Sequence, residues 1–280
     1  MEARRNAQTK IRVTVINEGD AHFRADQVAT EEPLEIRLGF DGHTQRVAVT
    51  MRTPGHDFEL AAGFLFTEGI IRSRDQITTI DYCVDRELTP EQRYNVVTVH
   101  LRSPELLQTG LDFRRFGITS ACGVCGKESL EQIERRGTTR TPNGLTVSPE
   151  TIVALPDRLR AAQGIFEHTG GLHASGLFTG DGKLVALRED VGRHNALDKL
   201  IGAMLLDGTL PLSDHIVLVS GRTSFELAQK CAAAGAPVLC SVSAPSSLAI
   251  DVARKFNLTL IGFLRGNHFN VYHGAHRLER

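Results

Sequence analysis

Two cysteines three positions apart are the residues whose types and spacing most directly indicate chemistry. Cys122 and Cys125 lie in the stretch SACGVCGK at 120–127, directly before a run of helix-forming residues. Backbone N–H groups at the start of a helix stabilise a thiolate and lower a cysteine pKa from about 8.5 to between about 6 and 7. Nearby cationic residues that would add to this effect are Arg114, Arg115 and Lys127. A thiolate on a Gly-flanked loop is a nucleophile towards sulfur.

A C-x-x-C pair also occurs in structural zinc sites and in disulfide-exchange proteins. A tetrahedral zinc site needs two further ligands, but the remaining cysteines stand singly at Cys83, Cys231 and Cys240. A deaminase-type zinc site needs H-x-E upstream of P-C-x-x-C, whereas this sequence has no H-x-E, and Ala121 stands where the proline would be. The run at 111–119 lacks the alternation of the buried strand that precedes a thioredoxin-like pair. Zinc is therefore disfavoured, and disulfide exchange stays open.

Two polar turns are predicted to follow buried strands in the C-terminal half. Ser220-Gly221-Arg222-Thr223-Ser224 follows the apolar run at 216–219, and Phe263-Leu264-Arg265-Gly266-Asn267-His268 follows the run at 260–261. Ligands of open α/β sheets bind beyond the carboxyl ends of the strands. Backbone N–H groups and the guanidinium of the first turn can bind phosphate, and the second offers an aromatic ring beside donors, which suits a base or pterin-like ring. Both are also common connectors, and neither is a Walker or G-x-G-x-x-G motif.

A third cluster of titratable residues, EDVGRHN at 189–195, lies between a predicted strand and a predicted helix. In one interpretation His194 is a general base oriented by Glu189 or Asp190. In the structural alternative the carboxylates cap the helix, Arg193 pairs with them, and His194 is a buried imidazole. The Gly-rich turn before His173 places that residue either in the same crevice or against the core. The sequence leaves these alternatives open.

The elements that must position these residues begin with a β-rich part. Alternating apolar residues predict strands at 11–15, 34–40, 47–51, 77–82 and 96–101, with a hairpin turn at Asp41-Gly42. Helical spacing from Phe58 to Leu65, ended by Gly69, predicts a helix. We therefore predict an N-terminal α+β part over 1–137 that carries the C-x-x-C loop and its helix, followed by a linker at 138–145.

The C-terminal half is predicted to be an α/β domain over 138–280. Ser148 and Pro149 are typical of a helix start; Pro156 is expected to restart that helix, which continues to about Phe166. A hairpin (173–178 with 184–188) and a helix (195–205) come next. Apolar strands joined by ten-residue helices follow, and they indicate a mostly parallel sheet covered on both faces, to which 269–272 adds an edge. The fold class is therefore α/β.

Composition and charge exclude several classes of protein. The chain has 280 residues, and its 41% hydrophobic content is enough for a core in one large or two ordinary domains. It shows no signal-like apolar segment at the start and no run of eighteen apolar residues. Five cysteines, odd and sparse, argue against a disulfide scaffold and for a reducing cytoplasm. A net charge of −1 gives no field that attracts nucleic acid. We expect a cytoplasmic protein without nucleic-acid or membrane partners.

Five sequence blocks, taken together and in order, resemble one known family. They are SACGVCGKE at 120–128, TGGLHASGL at 169–177, EDVGRHNALDKLIG at 189–202, SGRTSFEL at 220–227 and VSAPSSLA at 242–249. This order resembles the FdhD/NarQ family of formate dehydrogenase accessory sulfurtransferases, and the match extends from about Val47 to the end. The five blocks show no departure from the family pattern, and they are far more specific than a C-x-x-C pair alone.

The resemblance implies a function, a fold and partners. It implies that the protein receives sulfur from a cysteine desulfurase as a cysteine persulfide. It further implies delivery of that sulfur to a molybdenum or tungsten bis(molybdopterin guanine dinucleotide) cofactor before the cofactor enters formate dehydrogenase. It implies a C-terminal domain similar to the cytidine-deaminase fold without its zinc site, and a homodimer.

The same resemblance assigns site residues. It makes Cys122 the persulfide bearer and Cys125 its assistant, and the implied cofactor-binding residues are Phe263, Leu264, Arg265, Gly266, Asn267 and His268. It leaves open whether His173, His194 or Arg222 contacts the cofactor. The alternatives from other classes are a chaperone that holds the cofactor without sulfur chemistry, a thiol-disulfide exchange protein, and a zinc-stabilised interaction protein.

Overall fold

The first strands of the computed structural model form a two-stranded ribbon that is a separate sheet. The structure describes residues 6–83, 94–103, 130–131, 134 and 138–279. Strands β1 (Gln8–Asn17) and β2 (Asp20–Ala29) pair antiparallel through a tight turn. The predicted strand at 11–15 is confirmed, but sequence analysis missed β2 because its polar and charged residues show no clear alternation.

A four-stranded sheet follows this ribbon. Its strands are β3 (Glu32–Phe40), β4 (His43–Arg52), β5 (Ile77–Tyr82) and β6 (Val96–Leu101), in the order β4-β3-β6-β5. The hairpin predicted at Asp41-Gly42 is confirmed, and both residues have positive φ, as a tight hairpin turn requires. Helix α1 (Asp57–Thr67) buries Leu60 and Leu65 in the core beneath this sheet, so the predicted helix is also confirmed.

The C-terminal half contains a six-stranded mixed sheet. Its strands are β7 (His173–Thr179), β8 (Leu184–Asp190), β9 (His215–Val219), β10 (Val238–Ser241), β11 (Thr259–Arg265) and β12 (His268–His273), in the order β12-β11-β10-β9-β7-β8. The three central strands are parallel, and the pairs outside them are antiparallel. The α/β class is confirmed, with parallel pairing confined to the centre of the sheet.

Helices cover both faces of this sheet, as predicted. They are α2 (Pro149–Ala162), α3 (Gly164–Thr169), α4 (Arg193–Asp207), α5 (Phe225–Ala233) and α6 (Ser247–Phe256). One apolar cluster joins α4, α5 and α6 to the sheet, and another joins α2 to the opposite face. Ser148 caps α2 through a hydrogen bond from the Thr151 N–H (3.1 Å), which confirms the predicted start.

Two predictions about α2 are wrong. The helix passes through Pro156 without interruption, and it ends at Ala162 rather than near Phe166. Proline in a helix removes one N–H donor, but the buried Leu155 and Leu159 hold this helix on the sheet. Residues 164–169 form the separate helix α3, whose first-turn N–H groups of Ile165 and Phe166 donate to the Glu189 carboxylate.

The two sheets are joined where α1 crosses α4. Gly63 and Gly202 let the helix backbones approach so closely that a Cβ at Gly202 would lie 1.8 Å from the Glu59 carbonyl oxygen. Leu205 of α4 belongs to the core of the N-terminal sheet. The predicted domain division at residue 137 stays a prediction. Within the described ranges, no helix combines the length and hydropathy needed to cross a lipid bilayer.

Candidate functional site

The C-x-x-C segment falls outside the part of the chain that the structure describes. Cys122 and Cys125, with Arg114, Arg115 and Lys127, are therefore still sequence predictions. The helix predicted to follow them is confirmed where it is described, since Leu130, Glu131 and Glu134 are helical. Leu130 packs against the apolar cluster beneath α6, and the Glu134 carboxylate lies 3.0 Å from Lys255 Nζ of α6.

Two of the described cysteines are unsuited to sulfur transfer. Cys231 and Cys240 are completely buried, and burial raises the pKa of both thiols well above the ordinary value. A thiol that stays protonated at neutral pH is a poor nucleophile. Cys83 is half-buried beyond the end of β5. Among the described residues, no group of three His, Cys, Asp or Glu side chains could hold a metal ion.

Both predicted polar turns lie at one edge of the six-stranded sheet, where the parallel strands β9, β10 and β11 end. The segments at 220–224 and 242–246 follow β9 and β10, and the stretch at 263–268 spans the end of β11 and the start of β12. Strand β7 is antiparallel to β9, with Ser175 opposite Val219, so His173 at the start of β7 reaches the same edge. The fold therefore brings together residues from four separate parts of the sequence.

The stretch at 263–268 forms the tip of a β-hairpin rather than a turn into a helix. Arg265 pairs with His268 across the tip, and the Arg265 Nε donates to the Val242 carbonyl at 3.1 Å. Phe263 is 37% exposed and has a φ of 53°, an uncommon conformation for a bulky residue. Leu264 is fully buried in the core, so only its backbone can meet a ligand. The Phe263 ring and the side-chain hydrogen-bond donors of Arg265 and Asn267 are therefore exposed at the carboxyl edge of the sheet.

A second group of side chains fills the crevice between the starts of α4 and α5. His194 Nε2 lies 3.3 Å from Ser224 Oγ and 3.8 Å from a Glu226 carboxylate oxygen. Burial, with the nearby Arg193 and His194, lowers the pKa of His173. The hydrogen bond with His194 helps to lower the pKa of Glu226 to about 2. The Glu226 carboxylate therefore stays charged at neutral pH, beside His194 and Ser224.

The structure corrects both interpretations of the segment at 189–195. Asp190 is fully buried and pairs with Lys199 Nζ at 2.7 Å, while Glu189 caps α3. Neither carboxylate orients His194, so the proposed base pairing is wrong. The structural alternative is wrong about Arg193, because the partner of Asp190 is Lys199, and Arg193 forms no ion pair with any described residue. Sequence analysis missed Lys199 as the partner of Asp190; the available signal was a lysine, next to Asp198, within the predominantly apolar stretch at 196–205 of α4.

A buried polar network fixes this segment to the N-terminal sheet. The Thr53 N–H donates to Asp190 Oδ2 (3.1 Å), and Lys199 Nζ donates to the Thr53 carbonyl (2.8 Å). The Asn195 amide donates to the Met51 carbonyl (2.7 Å). The start of α4, and with it the crevice, is thus held by residues at the end of β4.

The fold and the site define an α/β protein whose predicted ligand-binding residues meet at the carboxyl edge of a mixed sheet. The model of the FdhD/NarQ family matches residues 29–279, and the chain belongs to this family. The resemblance inferred from the five sequence blocks is therefore confirmed.

Relatives and a solved structure agree with this assignment. The chain is 51% identical to the sulfur carrier protein FdhD of Streptomyces avermitilis, over 95% of this chain and 94% of that one. It is 44% identical to the protein of the same name from Sulfurisphaera tokodaii, over 97% of each chain. A crystal structure from Desulfotalea psychrophila, provisionally described as a formate dehydrogenase accessory protein, has a TM-score of 0.75 at 25% identity. It matches over 98% of this chain and 100% of its own.

Proposed function

We propose that the protein is a sulfurtransferase that serves formate dehydrogenase. It accepts sulfur from a cysteine desulfurase as a persulfide on Cys122. It delivers that sulfur to the molybdenum or tungsten bis(molybdopterin guanine dinucleotide) cofactor, which is its substrate. The observation that carries the proposal is the full-length similarity to relatives named sulfur carrier protein, at 51% identity for the Streptomyces avermitilis protein. The formate dehydrogenase client is drawn from the description of the Desulfotalea psychrophila structure.

The sulfur steps balance with thiol chemistry alone. The Cys122 thiolate attacks the outer sulfur of the donor persulfide, a new S–S bond forms, and the donor cysteine leaves as a thiolate. For release, the Cys125 thiolate attacks the inner sulfur of the Cys122 persulfide. The outer sulfur departs as hydrosulfide towards the cofactor, and a disulfide between Cys122 and Cys125 remains. A two-electron dithiol reductant must then restore both thiols.

The exposed hairpin supports the proposed binding of the cofactor. The Phe263 ring offers a face for stacking a base or a pterin, and Asn267 and His268 are exposed beside it. Arg265 is also exposed, although its Nε is engaged by the Val242 carbonyl. Its other guanidinium N–H groups can meet phosphate.

Mass spectrometry tests the sulfur relay directly. The purified protein is incubated with a cysteine desulfurase and cysteine, alkylated, and measured intact and after digestion. We expect the added mass of one sulfur atom on the peptide that contains Cys122, and its loss in Cys122→Ala. The matched control is Cys83→Ala, which removes a half-buried thiol outside the C-x-x-C pair and should keep the adduct.

An activity assay separates sulfur transfer from simple cofactor binding. Formate dehydrogenase is produced in cells that carry the wild-type protein or the Cys122→Ala variant as their only copy. The relay predicts loss of formate oxidation with Cys122→Ala and retention with Cys83→Ala. Equal activity with Cys122→Ala would instead identify a chaperone that holds the cofactor without sulfur chemistry.

A further inference from the structure

Strand β8 is an end strand of the six-stranded sheet, and its first half is apolar. It pairs with β7 on one side, and no described strand pairs with its other side. The residues at 184–187 are Leu, Val, Ala and Leu, whereas the other end strand, β12, contains two histidines and an asparagine. Polar residues, charges and prolines are what normally keep a free strand edge from pairing with another chain. Within the described part of the chain, the outer N–H and C=O groups at 184–187 are therefore open to a further strand.

The register between β7 and β8 leaves Val185 without a partner. Leu177 pairs with Ala186 and Phe178 pairs with Leu184, so Val185 is an extra residue on β8. Its side chain is 46% exposed. Side chains on neighbouring strands stabilise a sheet by packing against one another. Val185 therefore offers an apolar contact to a strand that pairs with the free edge.

A groove of about 680 Å³ lies beside this edge, between β8, α1 and the C-terminal part of α4. Its lining includes Val185 and Met204, and a methionine side chain adapts to apolar groups of different shapes. The lining also contains Arg188 and Glu59, which neutralise each other because Arg188 Nη2 lies 2.8 Å from Glu59 Oε1. The groove can thus accommodate the side chains of a strand added to β8.

The remaining charge in the groove is negative. Asp207 lines the groove and is the last residue of α4, where the helix dipole is equivalent to about half a negative charge. The last turn of α4 contains no basic residue, and no described residue forms an ion pair with Asp207. Its exposed carboxylate accepts a hydrogen bond from Thr209 Oγ1 at 2.9 Å. A cation is therefore favoured at this end of the groove.

We propose that the free edge of β8 and this groove, together called the β8 groove, bind an extended basic segment of a partner protein. The segment adds to the sheet as a seventh strand. Backbone hydrogen bonds to 184–187 give affinity, apolar side chains of the segment pack on Val185 and Met204, and a lysine or arginine pairs with Asp207. Four residues of β8 span about 14 Å, so a segment of five or six residues covers the groove.

The β8 groove is separate from the carboxyl edge of the sheet. Helix α4 begins at that edge and ends beside the groove, 15 residues or about 22 Å further on. No cysteine lines the groove. Binding of the segment therefore goes beyond the proposed sulfur transfer and does not depend on it.

Fluorescence anisotropy of a labelled peptide, titrated with the full chain at low salt, tests the β8 groove. The probe is acetyl-Thr-Lys-Val-Lys-Val-Thr-amide. We expect saturable one-to-one binding of this peptide. One control peptide has glutamate in place of both lysines, and the other carries N-methyl groups on its four central amides, which prevent strand pairing; neither should bind. Equal binding of all three peptides, or no saturable binding of the lysine peptide, overturns the proposal.

Two variants of exposed groove residues sharpen this test. Asp207→Asn should weaken binding of the lysine peptide by about two- to fivefold, since one exposed ion pair is lost. Val185→Lys should weaken it by about fivefold or more, because it places a like charge on the strand edge. The matched control is Asp251→Asn, which removes a carboxylate of α6 outside the groove and should leave binding unchanged. Equal weakening in Asp251→Asn contradicts the assignment.

Hydrogen exchange followed by mass spectrometry shows where the peptide binds. We expect the bound lysine peptide to slow exchange of the amides at 184–188 and to leave those of β12, the other end strand, unchanged. Slower exchange at β12 instead would refute the location. Protection at 184–188 that appears without peptide and rises with protein concentration would show that a second copy of this chain covers the edge, and it would also overturn the proposal.

Discussion

The contact between α1 and α4 makes the most stringent prediction about stability. In Gly202→Ala the new Cβ would lie 1.8 Å from the Glu59 carbonyl oxygen, 1.2 Å inside the 3.0 Å that real Cβ contacts respect. The obstacle is backbone, which cannot rotate away as a side chain can. Alanine favours a helix over glycine by about 1 kcal/mol, but overpacking costs about 1–3 kcal/mol or more. We expect the clash to dominate and the variant to lose about 3 kcal/mol of unfolding free energy.

Thermal unfolding followed by circular dichroism measures this loss. A 3 kcal/mol change should lower the midpoint by about 5 °C in a chain of this size. The matched control is Gly164→Ala in the first turn of α3, where a Cβ would meet no atom within 4 Å, and its midpoint should stay near that of the wild type. A Gly202→Ala midpoint within 1 °C of the control would refute the close approach of the two helices.

Two further predictions concern buried and half-buried charges. Lys230→Met should cost about 3–5 kcal/mol in urea unfolding, because it leaves Asp198 buried without its partner at 2.9 Å. The double variant with Asp198→Leu should recover most of that loss; no recovery would refute the pairing. Burial alone would raise the pKa of Glu59, but hydrogen bonds with Arg188 and His56 lower it to about 2. The ionised Glu59 therefore contributes its full stabilisation of the folded state above about pH 4.5, and this contribution is lost as the pH falls towards 2. Glu59→Gln should consequently flatten the pH dependence of the unfolding free energy in that interval.

Periodicity predicted most elements because burial on one face leaves a clear pattern. Alternation marked β3 and β4, and continuous apolar runs marked β9 and β10. Strand β2 was not predicted because most of it is exposed, so its sequence shows no alternation of apolar and polar residues. The break predicted at Pro156 is absent from the structure. Local propensity favours a helix end at proline, but the packing of α2 against the sheet outweighs this preference.

The location of the candidate site was predictable, but the pairing of its charges was not. The rule that ligands bind beyond the carboxyl ends of strands identified the turns at 220–224 and 263–268, and the structure places both at one edge. Sequence proximity suggested that Glu189 or Asp190 would serve His194. The structure shows a different pairing. Asp190 is fully buried and therefore needs a cationic partner, which is Lys199 of α4.

The segment at 189–195 therefore has a mechanical role that its charges alone do not reveal. Asp190 and Asn195 bind the backbone of Thr53 and Met51, so the start of α4 is fixed to the end of β4 in the other sheet. Arg193 lies between these two anchors. The hydrogen bonds of Asp190 and Asn195 therefore hold the first turn of α4, which begins at Arg193, against the end of β4. The N-terminal sheet therefore helps to position the side chains between the starts of α4 and α5. A site at the carboxyl edge of the C-terminal sheet thus depends on contacts with the N-terminal sheet as well.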